Sequence, residues 1–297
     1  MAAPVAQERS QPTGLLKLCF VEMWERFGFV TTMGMAVLFF ASPIADNGLG
    51  WSNADALLWI GYFGALLLTL PVLGGWTADN ILGAKRAILV GGCMMATGYL
   101  ALGCLSYVYS FTGMDPAVLM GVFSDAGLVL ARTTPDAAAW GKVATLITGH
   151  VGPAEAEDVI AAVRFAYGFQ TIALFASFLL IAAGNGLLKP TIAGVVSALY
   201  PPGDPRRDGG FTLFWTFINA GALLGYVVGG GVGEQVGWSI GYFAAFAGMA
   251  GGLIYFVIIQ GQLPNPPRRP RALPGAEKRA RLTREERRRV SAVLLMT

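Results

Sequence analysis

Apolar positions run along this chain in long unbroken stretches rather than in alternation, and short polar turns separate them. Stretches free of Asp, Glu, Lys and Arg cover Phe27 to Ala45, Ala56 to Ala78, Ala87 to Met114, Phe165 to Leu188, Gly209 to Gly233 and Gln235 to Pro267. A helix crossing about 30 Å of hydrocarbon needs roughly 20 such residues, so each stretch is read as a membrane-spanning helix, the first beginning earlier, near Leu15. Strands of a membrane barrel would be about ten residues long and strictly alternating. The class predicted is therefore an all-α polytopic membrane protein with six transmembrane helices. Its organisation reads as a polar tail over residues 1–14, a six-helix bundle over 15–262 and a Pro-rich, then Arg-rich segment over 263–297.

Residues 115–164, between the third and fourth spans, are of mixed character: Arg132, Lys142 and Arg164 are offset by Asp115, Asp125, Asp136, Glu155, Glu157 and Asp158. The segment reads as an extracytoplasmic insertion, with Ala117 to Phe123 and Gly127 to Ala131 too short to span and expected to form surface helices. Orientation follows from the loops. Arg9, Lys17, Lys85, Arg86, Arg206, Arg207 and the basic tail share one side, while Asp46, Asp55 and Glu234 occupy the other without nearby Lys or Arg. The excess of Lys and Arg marks the cytoplasmic side, so both termini are expected in the cytoplasm and the chain in the plasma (inner) membrane, its first partner the lipid bilayer.

Composition narrows the function classes. At 55% hydrophobic and 13% charged, the chain lies far from the roughly 25% charged residues of soluble domains and from disordered chains. A formal charge of +3 gives no reason to expect nucleic acid. Cys19, Cys93 and Cys104 lie in apolar segments and read as small hydrophobes, and a single histidine, His150, supplies neither a triad nor a His-rich metal site. No metal or cofactor is expected.

Ionisable residues inside spans are costly, on the order of 3 kcal/mol each, and each is a functional hypothesis. Glu22, Glu25 and Arg26 fall in the run Phe20 to Phe27, where offsets of three and four place Glu22 beside both others on one helical face. Lys189 follows the neutral run of the fourth span and precedes Pro190, whose missing N–H frees a carbonyl. Burial disfavours a charged carboxylate and a neighbouring cation favours it, so rearranging these partners can couple proton entry to conformation. The competing account is that all four lie near the headgroups, where long side chains snorkel. An acid–base role for Glu22 and Glu25 in an enzyme lacks any accompanying nucleophile or metal-ligand set, so the chain is not read as an enzyme.

Two further patterns carry candidates. The turn from Gly74 to Arg86 holds Gly75, Asp79 and Gly83; glycines permit a tight turn and close packing, Asp79 can bond free N–H groups at a helix start, and Arg86 can pair with it, which would suit a cytoplasmic gate. On the fifth span, Asn219 can hydrogen-bond a substrate and Trp215, one turn earlier, offers a stacking surface, or Asn219 bonds a neighbouring helix. Gly221, Gly225, Gly229 and Gly233, four residues apart, read as close helix packing.

Taken in order, Glu22-x-x-Glu25-Arg26-Phe27, Gly74-Gly75-x-x-Ala78-Asp79-x-x-x-Gly83, Gly184-Asn-Gly-Leu-Leu-Lys189-Pro190 and Phe214-Trp-Thr-Phe-Ile218-Asn219-Ala-Gly221 resemble the motifs of the proton-dependent oligopeptide transporter family of the major facilitator superfamily. The resemblance implies the amino-terminal six-helix half of a symporter of di- and tripeptides with protons as the coupling ion. By it, Glu22 and Glu25 are proton-linked, Arg26 is their partner, and Lys189 exchanges salt bridges with them and joins Arg26 in attracting a peptide carboxylate. Trp215 and Asn219 line the pocket, and the loop from Asp79 to Arg86 latches the cytoplasmic side. The chain departs from the family in having Val30, Leu68 and Trp215 where tyrosines are common, and in its long 115–164 segment. The family pairs two six-helix bundles. The tail therefore reads as a linker followed by the start of a seventh helix, and the second half would come from a missing carboxyl-terminal bundle, a partner chain or a homodimer. The alternative is a non-transporting membrane subunit, a peptide-binding sensor or a remnant of such a transporter.

Overall fold

The computed structural model describes residues 10–131 and 135–266, so the expected linker and seventh helix fall almost wholly outside it, as do Arg9 and Arg132. Among the described residues the fold is all helical: α1 Thr13–Ala41, α2 Asn53–Thr77, α3 Ala84–Cys104, α4 Pro116–Asp125, α5 Ala137–Val151, α6 Pro153–Ser197, α7 Arg206–Val228 and α8 Trp238–Ile259. Five of these, α2, α3, α6, α7 and α8, are long and apolar enough to cross a membrane. The helix α1 is 29 residues long and matches them in length, but it carries Lys17, Glu22, Glu25 and Arg26.

The spans pack side by side in the order α2, α6, α3, α8, α1, α7, and α1 also touches α2. Helix α6 packs between α2 and α3, α8 bridges α3 and α1, and α7 lies along α1. Lipid offers no hydrophobic drive for association, so close approach through small residues must supply the packing. The four-residue glycine spacing does this between α7 and α1. A Cβ on Gly221 would stand 2.2 Å from the Met23 carbonyl oxygen, one on Gly225 2.8 Å from that of Phe27, and one on Gly229 3.0 Å from that of Thr31. The Thr31 hydroxyl donates to the Gly225 carbonyl at 3.3 Å. On α6, Gly184 abuts α3, where an added Cβ would lie 2.4 Å from the Gly91 oxygen, and Gly186 abuts α2, its oxygen 2.1 Å from where a Gly74 Cβ would be. Pro190 has no N–H to occupy the Gly186 carbonyl, and the bare backbone of Gly74 lies against that carbonyl.

The structure revises the reading of the insertion. The helix of the fourth span begins at Pro153, twelve residues before the charge-free run, and continues for 45 residues, about 68 Å. Helix α5 runs back against its first part, joined through Gly152 at φ +82°, with Trp140 meeting Tyr167 edge-on. Both short helices have acidic caps: the Asp115 carboxylate accepts from the Ala117 N–H and that of Asp136 from the Ala139 N–H, each at 2.7 Å. Helix α4 was expected at the surface, yet it buries Leu119, Val122 and Phe123 against the bundle, Phe123 meeting the ring of Tyr109 edge-on. The expected helix over Gly127 to Ala131 does not form, because Gly127 and Ala131 both take positive φ. The segment instead runs against the α1–α2 connection: Leu130 donates its N–H to Leu49, and the Trp51 indole donates to Leu130 at 2.6 Å.

Candidate functional site

Glu22, Glu25 and Arg26 lie on the inner face of α1 and are 1%, 0% and 9% exposed. That burial in the protein interior opposes the snorkelling account. The Arg26 guanidinium stands 3.5 Å from a Glu25 carboxylate oxygen, Nη2 to Oε2, and lies over the Phe29 ring at 5.1 Å. The pair is an ion contact rather than an aligned hydrogen bond, since neither Glu25 Oε2 nor Arg26 Nη2 has a hydrogen-bond partner among the described residues. The other Glu25 oxygen accepts from the amide of Asn185 at 3.0 Å, across from α1 to α6.

Asn185 is itself buried, and it is the site residue that the sequence reading missed. It precedes Lys189 by one helical turn, so the spacing that singled out Lys189 also placed Asn185 on that face. Its flanking glycines face α3 and α2, leaving Asn185 to face α1. Lys189 is half-buried and close enough to Glu22, Glu25 and Arg26 to feel all three charges. It forms no direct ion pair among the described residues. In this conformation Arg26 holds Glu25 and Lys189 stands by. One Glu22 oxygen, Oε2, is likewise buried without a hydrogen-bond partner among the described residues.

Trp215 and Asn219 sit one turn apart on an exposed face of α7, Trp215 at 59%. No hydrogen bond links either to the charged group or to another helix among the described residues, so the interhelical bond considered for Asn219 is not made here. The buried face of that helix carries Phe214, Ile218, Gly221 and Gly225, so both residues face outward next to the α1–α7 contact. Val30 is buried against Gly225, whereas Leu68 is exposed.

In the turn between α2 and α3, Gly75 is half-buried and the chain widens into a π turn over Ala78–Leu82 that includes Asp79. Gly83 then takes φ +80°, ψ 155° to enter α3, a conformation that glycine alone adopts cheaply. The expected pair of Arg86 with Asp79 is not formed: Arg86 is exposed and makes no ion pair among the described residues. The wide turn and Gly83 stand between the two.

This combination defines a class, a membrane-spanning helical bundle built around a buried cluster of opposite charges. Comparison with known proteins places it more narrowly. The family model described as POT family (PTR2) matches residues 85–291, and the chain belongs to that family. Over 256 residues it is 30% identical to dipeptide and tripeptide permease B of Yersinia enterocolitica, covering 84% of this chain and 38% of the permease. It is 31% identical over 241 residues to a di-/tripeptide transporter of Lactococcus lactis, covering 80% and 36%. A crystal structure of a peptide transporter POT in complex with sulfate superposes with a TM-score of 0.61 at 27% identity, over 99% of this chain and 46% of that one. The chain thus spans less than half the length of each of these three proteins.

Proposed function

We propose that this chain forms one wall of a proton-coupled symporter of di- and tripeptides, in the orientation that the basic loops give, with both described ends of the bundle at the cytoplasmic side of the plasma membrane. The observation that carries the reading is the buried contact of Glu25 with Arg26 and Asn185, with Lys189 close by and in no ion pair among the described residues. A cluster with two buried carboxylates and two cations holds more than one pairing of similar energy. A proton arriving on Glu22 or Glu25 releases a cation, which is then available to a peptide carboxylate. Trp215 and Asn219, exposed on α7, complete the binding surface on this side, and the turn carrying Gly75, Asp79, Gly83 and Arg86 acts at the cytoplasmic gate. No cofactor takes part; the proton is the coupling ion. The facing wall comes from a further six-helix bundle, carried on the same polypeptide, a partner chain or a second copy.

The similarity to a permease of di- and tripeptides and to a di-/tripeptide transporter supports the substrate class. The test is acid-driven dipeptide uptake into proteoliposomes by the assembled transporter. Lys189→Ala and Glu22→Gln are each expected to reduce it by at least tenfold, while both variants still insert and melt as the parent does. Uptake unchanged in both sinks the mechanism.

A further inference from the structure

At the base of the α5–α6 hairpin is a cavity of about 720 Å³ that the transport reading does not use. Arg164 and Trp140 stand at its upper end, and Tyr167, Thr171, Ile172 and Phe175 line it downward along α6. Arg164 is the last charged residue before the charge-free run of that helix, so it marks the level at which α6 enters hydrocarbon. From Arg164 to Phe175 the helix rises about 16 Å, close to the roughly 15 Å depth of one leaflet's hydrocarbon. The groove therefore spans the headgroup level and one leaflet, and it continues into an exposed apolar row of Phe165, Phe169, Ile172 and Leu179.

Its polar end is cationic and available. The Arg164 guanidinium lies over the Trp140 ring at 5.2 Å, a contact that fixes its position while leaving its in-plane N–H donors free. Among the described residues Arg164 makes no ion pair and no hydrogen bond, and no acidic side chain lines the cavity. The neighbouring Asp136 carboxylate is committed to the amino-terminal turn of α5. Trp140 and Tyr167 meet edge-on and supply the amphipathic rings that settle at the glycerol level of a bilayer. We propose that this groove is a binding site for one anionic phospholipid, its phosphate on Arg164 and an acyl chain along Thr171, Ile172 and Phe175. A planar guanidinium matches phosphate oxygens, and the depth and apolarity below it match a lipid tail. This inference rests on membrane insertion alone and is independent of what the bundle transports.

The test is native mass spectrometry of the full chain released from detergent micelles with phosphatidylglycerol or phosphatidylcholine of matched acyl chains. The parent is expected to retain phosphatidylglycerol about tenfold better than phosphatidylcholine. Arg164→Gln should erase that preference, Arg164→Lys should keep most of it, and Ile172→Trp, which fills the groove, should lower retention of both lipids. Lys142→Gln, an exposed charge on α5 outside the cavity, should leave retention unchanged. Equal retention of the two lipids by the parent overturns the proposal, as does an equal loss in Lys142→Gln and Arg164→Gln, which would indicate attraction to bulk charge. Full retention in Ile172→Trp, or displacement of the lipid by millimolar inorganic phosphate, overturns it as well.

Discussion

Replacing Gly74 by alanine is expected to separate α2 from α6, while the same change one residue later does not. A Cβ on Gly74 would lie 2.1 Å from the Gly186 carbonyl oxygen, about 1.3 Å short of the 3.4 Å at which ordinary contact begins, and the atoms it meets are backbone. Neither helix can yield by a rotamer change, so the interface opens by on the order of 1 Å. A gap of that size forfeits a quarter to a half of each dispersion contact it touches, and overpacked sites cost about 1 to 3 kcal/mol or more. On Gly75 the new methyl would meet Pro190 at 3.7 Å, an ordinary contact. Both changes gain the same helix propensity, about 1 kcal/mol, so their difference isolates packing. Thermal unfolding in a fixed detergent should show Gly74→Ala melting about 6 to 12 °C below Gly75→Ala, taking about 3 kcal/mol and 2 to 4 °C per kcal/mol for a chain of this size. Melting temperatures within about 2 °C of each other would refute the argument that backbone contact sets the α2–α6 spacing.

Two further outcomes follow from polar contacts. In a double-mutant cycle of Asn185→Ala with Glu25→Gln, read by unfolding in detergent, the coupling should be about 2 kcal/mol, since the bond is buried and one partner is ionisable; a value under about 0.5 kcal/mol would show that Asn185 does not hold Glu25. In the turn between α6 and α7, the side chain and backbone N–H of Arg206 bond the Asp204 carboxylate and hold it below its ordinary value of 3.8. A lowered carboxylate stabilises the fold above that ordinary value, and the contribution fades as pH falls through the lowered one. Asp204→Asn should therefore melt below the parent at neutral pH, with the gap closing as the solution is taken below about pH 3.8; a gap that persists unchanged in acid would count against the ion pair.

The spans were legible because a charge inside hydrocarbon is expensive, so charge-free runs mark them. The same rule hid the start of α6, whose first turns carry Glu155, Glu157, Asp158 and Arg164 because they extend beyond the apolar stretch against α5. The caps at Asp115 and Asp136 are a local signal that the reading by charge passed over, whereas the positive φ of Ala131 has no local signal, its neighbour Leu130 being bonded to Leu49 and Trp51 far away in sequence. Glu22, Glu25, Arg26 and Lys189 declared themselves by charge. Asn185 did not, because a neutral amide between glycines costs little by composition and shows its partner only when α1 and α6 are brought together.

The length of α6 has a mechanical consequence. It is a single helix from the α5 hairpin, past Asn185 and Lys189, to Ser197, and its interior proline, Pro190, loosens it at the Gly186 carbonyl, between those two residues. Tilting the stretch from Pro153 to Asn185 by about 10° about its midpoint would carry each end, and so Asn185, about 4 Å, farther than a hydrogen bond reaches. The hairpin and Asn185 are thus opposite ends of one lever, so that a displacement at α5 is felt at the bond from Asn185 to Glu25.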